Sequence, residues 1–172
     1  MNVVFCATYL SVKRYRMMLR RNTIMTKDRE NYMKKLAYTA VRYLREAEDG
    51  EELSSRSVLI DCYGKIEGFS NDELMVFHKT LLEGAEKTGI ELESLPVEVG
   101  MPWVCPFIVH NKKAKICCPK CGNKNYAQIL YGMPAMNEQL QKDIEAKRVV
   151  IGGCLFSGFD PQYSCNDCGT RF

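Results

Sequence analysis

The sequence predicts an α+β chain: a small N-terminal helical bundle, then an antiparallel β-rich unit built round four cysteines, with a helix inserted between its two cysteine pairs. Three observations carry this. In residues 26–92, apolar positions recur every three or four residues between capping residues and glycines. Residues 115–172 hold two Cys-x-x-Cys-Gly steps, Cys118-Pro119-Lys120-Cys121-Gly122 and Cys165-Asn166-Asp167-Cys168-Gly169. The runs flanking those steps are short and strand-like, broken by glycine and proline.

Residues 1–25 stand apart as a basic leader. Met1–Leu10 is apolar, and Lys13-Arg14-Tyr15-Arg16 and Arg20-Arg21 follow it, the reverse of the order in a secretory signal. Met25-Thr26-Lys27-Asp28 reads as a natural start followed by a helix cap, so the leader is expected to be an upstream extension. The alternative is a basic arm that touches nucleic acid or anionic lipid.

Residues 26–92 read as an acidic helical subdomain. Thr26 or Asp28 caps a first helix running to about Glu48, with Tyr32, Leu36, Ala40, Val41, Tyr43 and Leu44 on one face and Asp49-Gly50 as its stop. Ser54 or Ser55 starts a shorter helix through Val58, Leu59 and Cys62, ended by Tyr63-Gly64. Ser70-Asn71-Asp72-Glu73 is a capping box, with serine at the cap and glutamate three residues on. The helix it opens carries Leu74, Phe77, Leu81, Leu82 and Ala85, and Gly89 closes it. His78, beside this stripe, reads as a partly exposed helix histidine rather than a ligand.

Three successive helices invite a helix-turn-helix reading. Charge opposes it. Residues 26–100 hold sixteen acidic and ten basic residues, a balance of −6, and a phosphate backbone repels such a surface.

Residues 93–114 read as a linker and an edge strand. Pro96, Gly100 and Pro102 punctuate the connector, and Trp103–His110 is a strand that Pro106 assigns to a sheet edge. On such a strand Cys105 and His110 point to opposite faces, which argues against a Cys/His pair. Asn111-Lys112-Lys113 makes a turn, and Ala114–Cys117 leads to the first cysteine step. Of Cys117 and Cys118, only Cys118 has the two-residue spacing to Cys121.

Inside the last unit, 115–172, Tyr126–Tyr131 is a strand and Gly132-Met133-Pro134 a turn. Met136–Arg148 is a helix with Met136, Leu140 and Ile144 on one side. Val149-Val150-Ile151 is a β-branched strand ended by Gly152-Gly153, with Cys154 expected as a small buried hydrophobe. Ser157–Pro161 is a loop, and Gln162–Cys165 is the strand entering the second step.

Zinc takes four tetrahedral ligands and favours thiolate sulfur. A Cys-x-x-Cys step brings two sulfurs from one turn to one ion, and two facing steps make a zinc ribbon. Cys118, Cys121, Cys165 and Cys168 are therefore expected to hold one structural Zn²⁺. Residues 122–164 separate the pairs, a longer gap than the about 15–20 residues of the simple pattern. Each doubling of loop length costs only about 0.6 kcal/mol of closure entropy, which metal binding outweighs. A site filled by four cysteines leaves no position for a reactive water. A thioredoxin-like role needs a single Cys-x-x-Cys opening a helix, which neither pair does.

Cys6, Cys62, Cys105, Cys117 and Cys154 remain, an odd number that argues against a disulfide framework. No apolar run reaches the about 18 residues of a membrane span, and the expected compartment is the cytoplasm, where metal outcompetes cystine. Net charge is +3. Residues 1–25 contribute +5 and residues 101–172 contribute +4, but four thiolates on Zn²⁺ carry −2 and reduce the latter to about +2.

The ordered run Cys118-Pro-x-Cys-Gly, Tyr131-Gly-Met-Pro, a short helix, Val150-Ile-Gly-Gly-Cys154 and Asp160-Pro-x-Tyr163-x-Cys165-x-x-Cys168-Gly resembles a group of small bacterial zinc-ribbon proteins. The resemblance covers about residues 115–172. It implies a ribbon fold and zinc, and no reaction.

The expected function is a non-catalytic binding module. Lys112, Lys113, Lys115, Lys120 and Lys124 cluster before and around the first step, with Tyr126 and Trp103 near for base stacking, a pattern that suits nucleic acid. The bland alternative is a solvated lysine-rich turn. A second expectation is a regulatory adaptor that meets a protein partner through the acidic helices. An enzyme is the weakest: there are two histidines, no His-Glu-x-x-His, no Gly-x-Ser-x-Gly and no phosphate loop.

Overall fold

The computed structural model describes residues 25–64, 66–96, 100–154 and 159–172. The expectations for the leader up to residue 24, for Cys6, and for parts of the 94–102 connector and the 157–161 loop lie outside these residues.

Thr26 caps helix α1 (Lys27–Glu46), its Oγ1 accepting the Arg29 amide at 3.3 Å. Met33, Ala37, Ala40, Val41 and Leu44 form its buried stripe, at the three- and four-residue spacing of one helix face. Strand β1 (Glu52–Ser54) runs directly into α2 (Ser55–Tyr63), whose capping box joins Ser54 and Ser57. Gly64 ends α2 at φ 76, in the left-handed region that costs glycine least. The Ser70–Glu73 capping box opens α3 (Asn71–Thr88) as expected. The Glu73 carboxylate also pairs with Arg29 on α1, locking the two helix N-termini together. Helices α1 and α3 are the principal packed pair.

The first half is not a bundle of helices alone. Strand β2 (Glu91–Ser94), a 3₁₀ turn (Pro102–Val104) and strand β3 (Pro106–His110) follow α3, and the strands form an antiparallel sheet in the order β1-β3-β2. The expected edge strand is therefore central. Pro106 is its first residue, where the missing N–H costs no ladder bond, so proline did not force an edge. Trp103 lies in the 3₁₀ turn and Cys105 just before the strand, so the opposite-face argument for Cys105 and His110 does not apply. The Cys105 thiol rests on the Met101 carbonyl, and His110 Nε2 lies 3.3 Å from Glu93. Phe107 and Val109 point from β3 into the main core, which runs from Met33 to Val109. The Asn111 side-chain amide donates to the carbonyls of Leu44, Arg45 and Ala47, satisfying the end of α1.

The second half holds β4 (Tyr126–Leu130), α4 (Glu138–Glu145), β5 (Val149–Ile151) and β6 (Tyr163–Cys165). Their sheet has the order β5-β4-β6. It is mixed, not antiparallel: β4 pairs with β6 antiparallel but with β5 parallel. A parallel pair needs a crossover, and α4 supplies it. Asn137 caps α4, which is shorter than expected and leaves Met136 outside it and exposed. Cys154 is exposed rather than buried. Among the described residues no helix is long and apolar enough to cross a membrane.

Candidate metal centre

Two turns of the same construction face each other. In the first, the Cys118 amide donates to the Asn123 carbonyl at 2.9 Å, and the Gly122 amide donates back to the Cys118 carbonyl at 2.7 Å. In the second, the Cys165 amide donates to the Thr170 carbonyl and the Gly169 amide to the Cys165 carbonyl, both at 2.9 Å. Gly122 and Gly169 adopt φ of 78 and 70, so the glycine after each second cysteine is required by the turn itself. The amides of Cys121 and Lys120 point at the Cys118 sulfur, and those of Cys168 and Asp167 at the Cys165 sulfur.

The four sulfurs of Cys118, Cys121, Cys165 and Cys168 all lie within 4.8 Å of one another. Two pairs across the turns lie closer than that bound, Cys118–Cys168 at 3.5 Å and Cys121–Cys165 at 3.6 Å. A tetrahedral ion with metal–sulfur bonds of about 2.3 Å separates its ligands by about 3.8 Å. The donor set and its spacing thus fit one four-coordinate metal ion. Cys117, by contrast, turns its thiol to the Lys87 carbonyl and stays out of the cluster.

The electrostatics favour the thiolate at one position, Cys168. Burial raises Cys118 and Cys165, against the pull of the turn amides. Burial also opposes the Cys168 thiolate, but the Thr170 hydroxyl and amide, with the Cys118 and Cys121 thiols, bring it down to about 6. Oriented amides and a hydroxyl supply to sulfur what a metal-bound thiolate needs.

A polar belt ties the turns together, and nothing in the spacing of the cysteines announced it. Asp167, on the second turn, accepts the side-chain amides of Asn123 and Asn125, both at 2.8 Å. Asn166 donates to the Asn125 side-chain carbonyl at 2.9 Å and to the Lys147 carbonyl at 3.1 Å. The first turn is also seated on the helices. A Cβ at Gly84 on α3 would come 3.2 Å from the Pro119 Cβ and 2.8 Å from Val41 Cγ2, so only glycine leaves the notch that buried Pro119 occupies. Lys87 closes the seat by donating to the Lys120 carbonyl at 2.7 Å. Tyr38 of α1 packs on the small core of Cys118, Cys165 and Phe172.

The expected basic cluster is divided. Lys112 pairs with Asp49 at 2.9 Å and Lys113 with Glu91 at 3.1 Å, which neutralises both on the first half's own carboxylates. Lys115, Lys120 and Lys124 are exposed and make no ion pair among the described residues. The expected stacking residues are engaged elsewhere. Trp103 packs on the main core, and Tyr126 is edge-to-face with Tyr163 and Phe172. His78 faces Ser55, with Nδ1 2.8 Å from Oγ, and takes no part in the cluster.

No family model matches the chain, and no curated protein or solved structure is significantly similar to it.

Proposed function

We propose that the chain holds one structural Zn²⁺ in a ribbon formed by Cys118, Cys121, Cys165 and Cys168, and that it serves as a non-catalytic binding module for nucleic acid or for a protein that handles it. The observation that carries this is the four sulfurs within 4.8 Å, drawn from two matching turns. Soft thiolate donors in a closed tetrahedron suit zinc, and with every position taken by protein the ion organises surface rather than activating water. The motif resemblance to bacterial zinc-ribbon proteins points the same way.

Metal analysis of the purified chain is expected to give one zinc per molecule. Cys118→Ser and Cys168→Ser lose it, whereas Cys117→Ser and Cys154→Ser keep it. Retention of zinc by both ligand variants would reject the centre. The adaptor reading keeps one supporting observation: Asp72, Glu83 and Glu86 lie exposed along α3. A stoichiometric partner that co-purifies through residues 26–92 would favour it.

A further inference from the structure

A cleft of about 1270 Å³ lies between α1 and the metal-binding unit. One wall is a helical stripe. Asn31, Lys34, Lys35 and Tyr38 stand at the spacing that places side chains on a single face of α1, with Tyr32 beside them. The other wall is made by the two turns: Lys120 from the tip of the first, and Thr170 and Arg171 from the strand leaving the second.

The charges here differ from those on the 111–115 turn. Lys35, Lys120 and Arg171 have no carboxylate at ion-pair distance among the described residues, while Lys34 is held by Glu30 at 2.5 Å. Glu83 and Asp160 also border the cleft, and a loaded tetrathiolate centre adds −2 behind Cys168. The three unpaired cations are thus matched by two carboxylates and the charge of the centre, so the cleft carries no net positive charge and is not a general sink for anions. What distinguishes it is the arrangement: cations on both walls and, on α1, tyrosine rings. Tyr32 is 52% exposed, among the most exposed large apolar side chains described. A backbone of spaced negative charges carrying flat bases uses all of these at once, since phosphates meet the cations and bases stack on the rings. A flexible single strand enters a cleft; a folded acidic protein reaches only its rims.

We infer that single-stranded nucleic acid binds in the cleft between α1 and the metal-organised turns, with Lys35, Lys120 and Arg171 on its phosphates and Tyr32 under a base. This rests on the binding-module reading above and names its face. It also moves the contact away from Lys112 and Lys113, which the fold has neutralised.

The test is fluorescence anisotropy of the zinc-loaded full chain with labelled oligo(U) and oligo(dT) across a salt series. Three phosphate contacts predict a log–log salt slope of about −2. Lys35→Glu and Arg171→Glu are each expected to weaken binding about tenfold and to flatten the slope by about 0.7. Lys120→Glu behaves alike, with zinc content as its folding control. Tyr32→Ala weakens binding about tenfold at an unchanged slope, because stacking carries no counterion release. The Lys112→Glu/Lys113→Glu double variant leaves affinity within about twofold. If both strands bind but Lys35→Glu and Arg171→Glu change nothing, or the Lys112/Lys113 double variant abolishes binding, the cleft is rejected and the nucleic-acid reading survives. If neither strand binds at low salt, both are rejected, while one zinc per chain would still stand.

Discussion

His78 lies half-buried on α3 with its Nδ1 against the hydroxyl of Ser55, a residue that is itself almost wholly buried. Burial lowers the His78 pKa below its ordinary value, because the charged ring loses water it cannot replace. The sign follows. The folded state prefers the neutral ring, so as pH falls below the unfolded value of about 6.5 the unfolded chain binds the proton first. Stability is lost from about 6.5 downward, until the folded ring also titrates. His78→Gln keeps a polar side chain of similar reach and removes the proton. The drop in melting temperature between about pH 7 and pH 5.5 is therefore expected to be smaller in His78→Gln than in the parent. Acid release of metal is common to both proteins and cancels in the comparison. An identical drop in the two would show that His78 is not the titrating group. The helix position of His78 was legible from its place beside the Leu74–Leu81 stripe. Its partner was not, because Ser55 lies on another helix and no local pattern links them.

The two cysteine turns are the elements where local chemistry spoke most plainly. Cys-x-x-Cys-Gly gave the cysteine cluster, the glycine conformation and the turn from residues within five of one another. The capping boxes of α2 and α3 were equally local. What failed were elements fixed by distant pairing. Strands β1 and β2 span only Glu52–Ser54 and Glu91–Ser94, too short to show alternation, and both exist because β3 lies between them. The parallel register of β4 and β5 was hidden for the same reason. The Asn123–Asn125–Asn166–Asp167 belt was overlooked because exposed asparagines in turns are ordinary. Its geometry gives it work: Asp167 holds the segment leaving the first turn against the second turn. Asp167→Ala is expected to weaken zinc affinity by about tenfold, the usual cost of losing an outer partner of a metal site. Competition against a chromogenic chelator reads this directly. Asp167→Asn should fall less, since its carbonyl still accepts one of the two asparagine amides while its own amide opposes the other. Parental affinity in both variants would reduce the belt to surface decoration.

At the scale of the molecule, the two hydrophobic cores are unequal, and that decides what metal removal does. The main core draws on α1, α2, α3, β1 and β3, and includes Phe77, Leu81 and Val109, all almost fully buried. The second core, among the described residues, buries only Cys118, Cys165 and Phe172, and two of these three are cysteines of the proposed centre. A cluster that small does not offset the conformational entropy of the segment it orders. A structural zinc contributes roughly 10–16 kcal/mol, ample to do so. Chelation is therefore expected to act on one half of the chain. Residues 117–172 should lose dispersed amide resonances and hydrogen-exchange protection, while α1 and α3 keep theirs and the far-ultraviolet helical signal changes little. The seat of Pro119 against Gly84 predicts a graded boundary, since part of the first turn is held by α3 independently of metal. Gly84→Val, which fills that notch, should extend the loss on chelation back to residues 113–119 and lower stability even with zinc present, by about 1–3 kcal/mol for overpacking. Hydrogen exchange followed by mass spectrometry separates the outcomes. Uniform loss of protection along the chain would show one cooperative unit, and undiminished protection of residues 117–172 would show that the polar belt and Phe172 hold the second half without any ion.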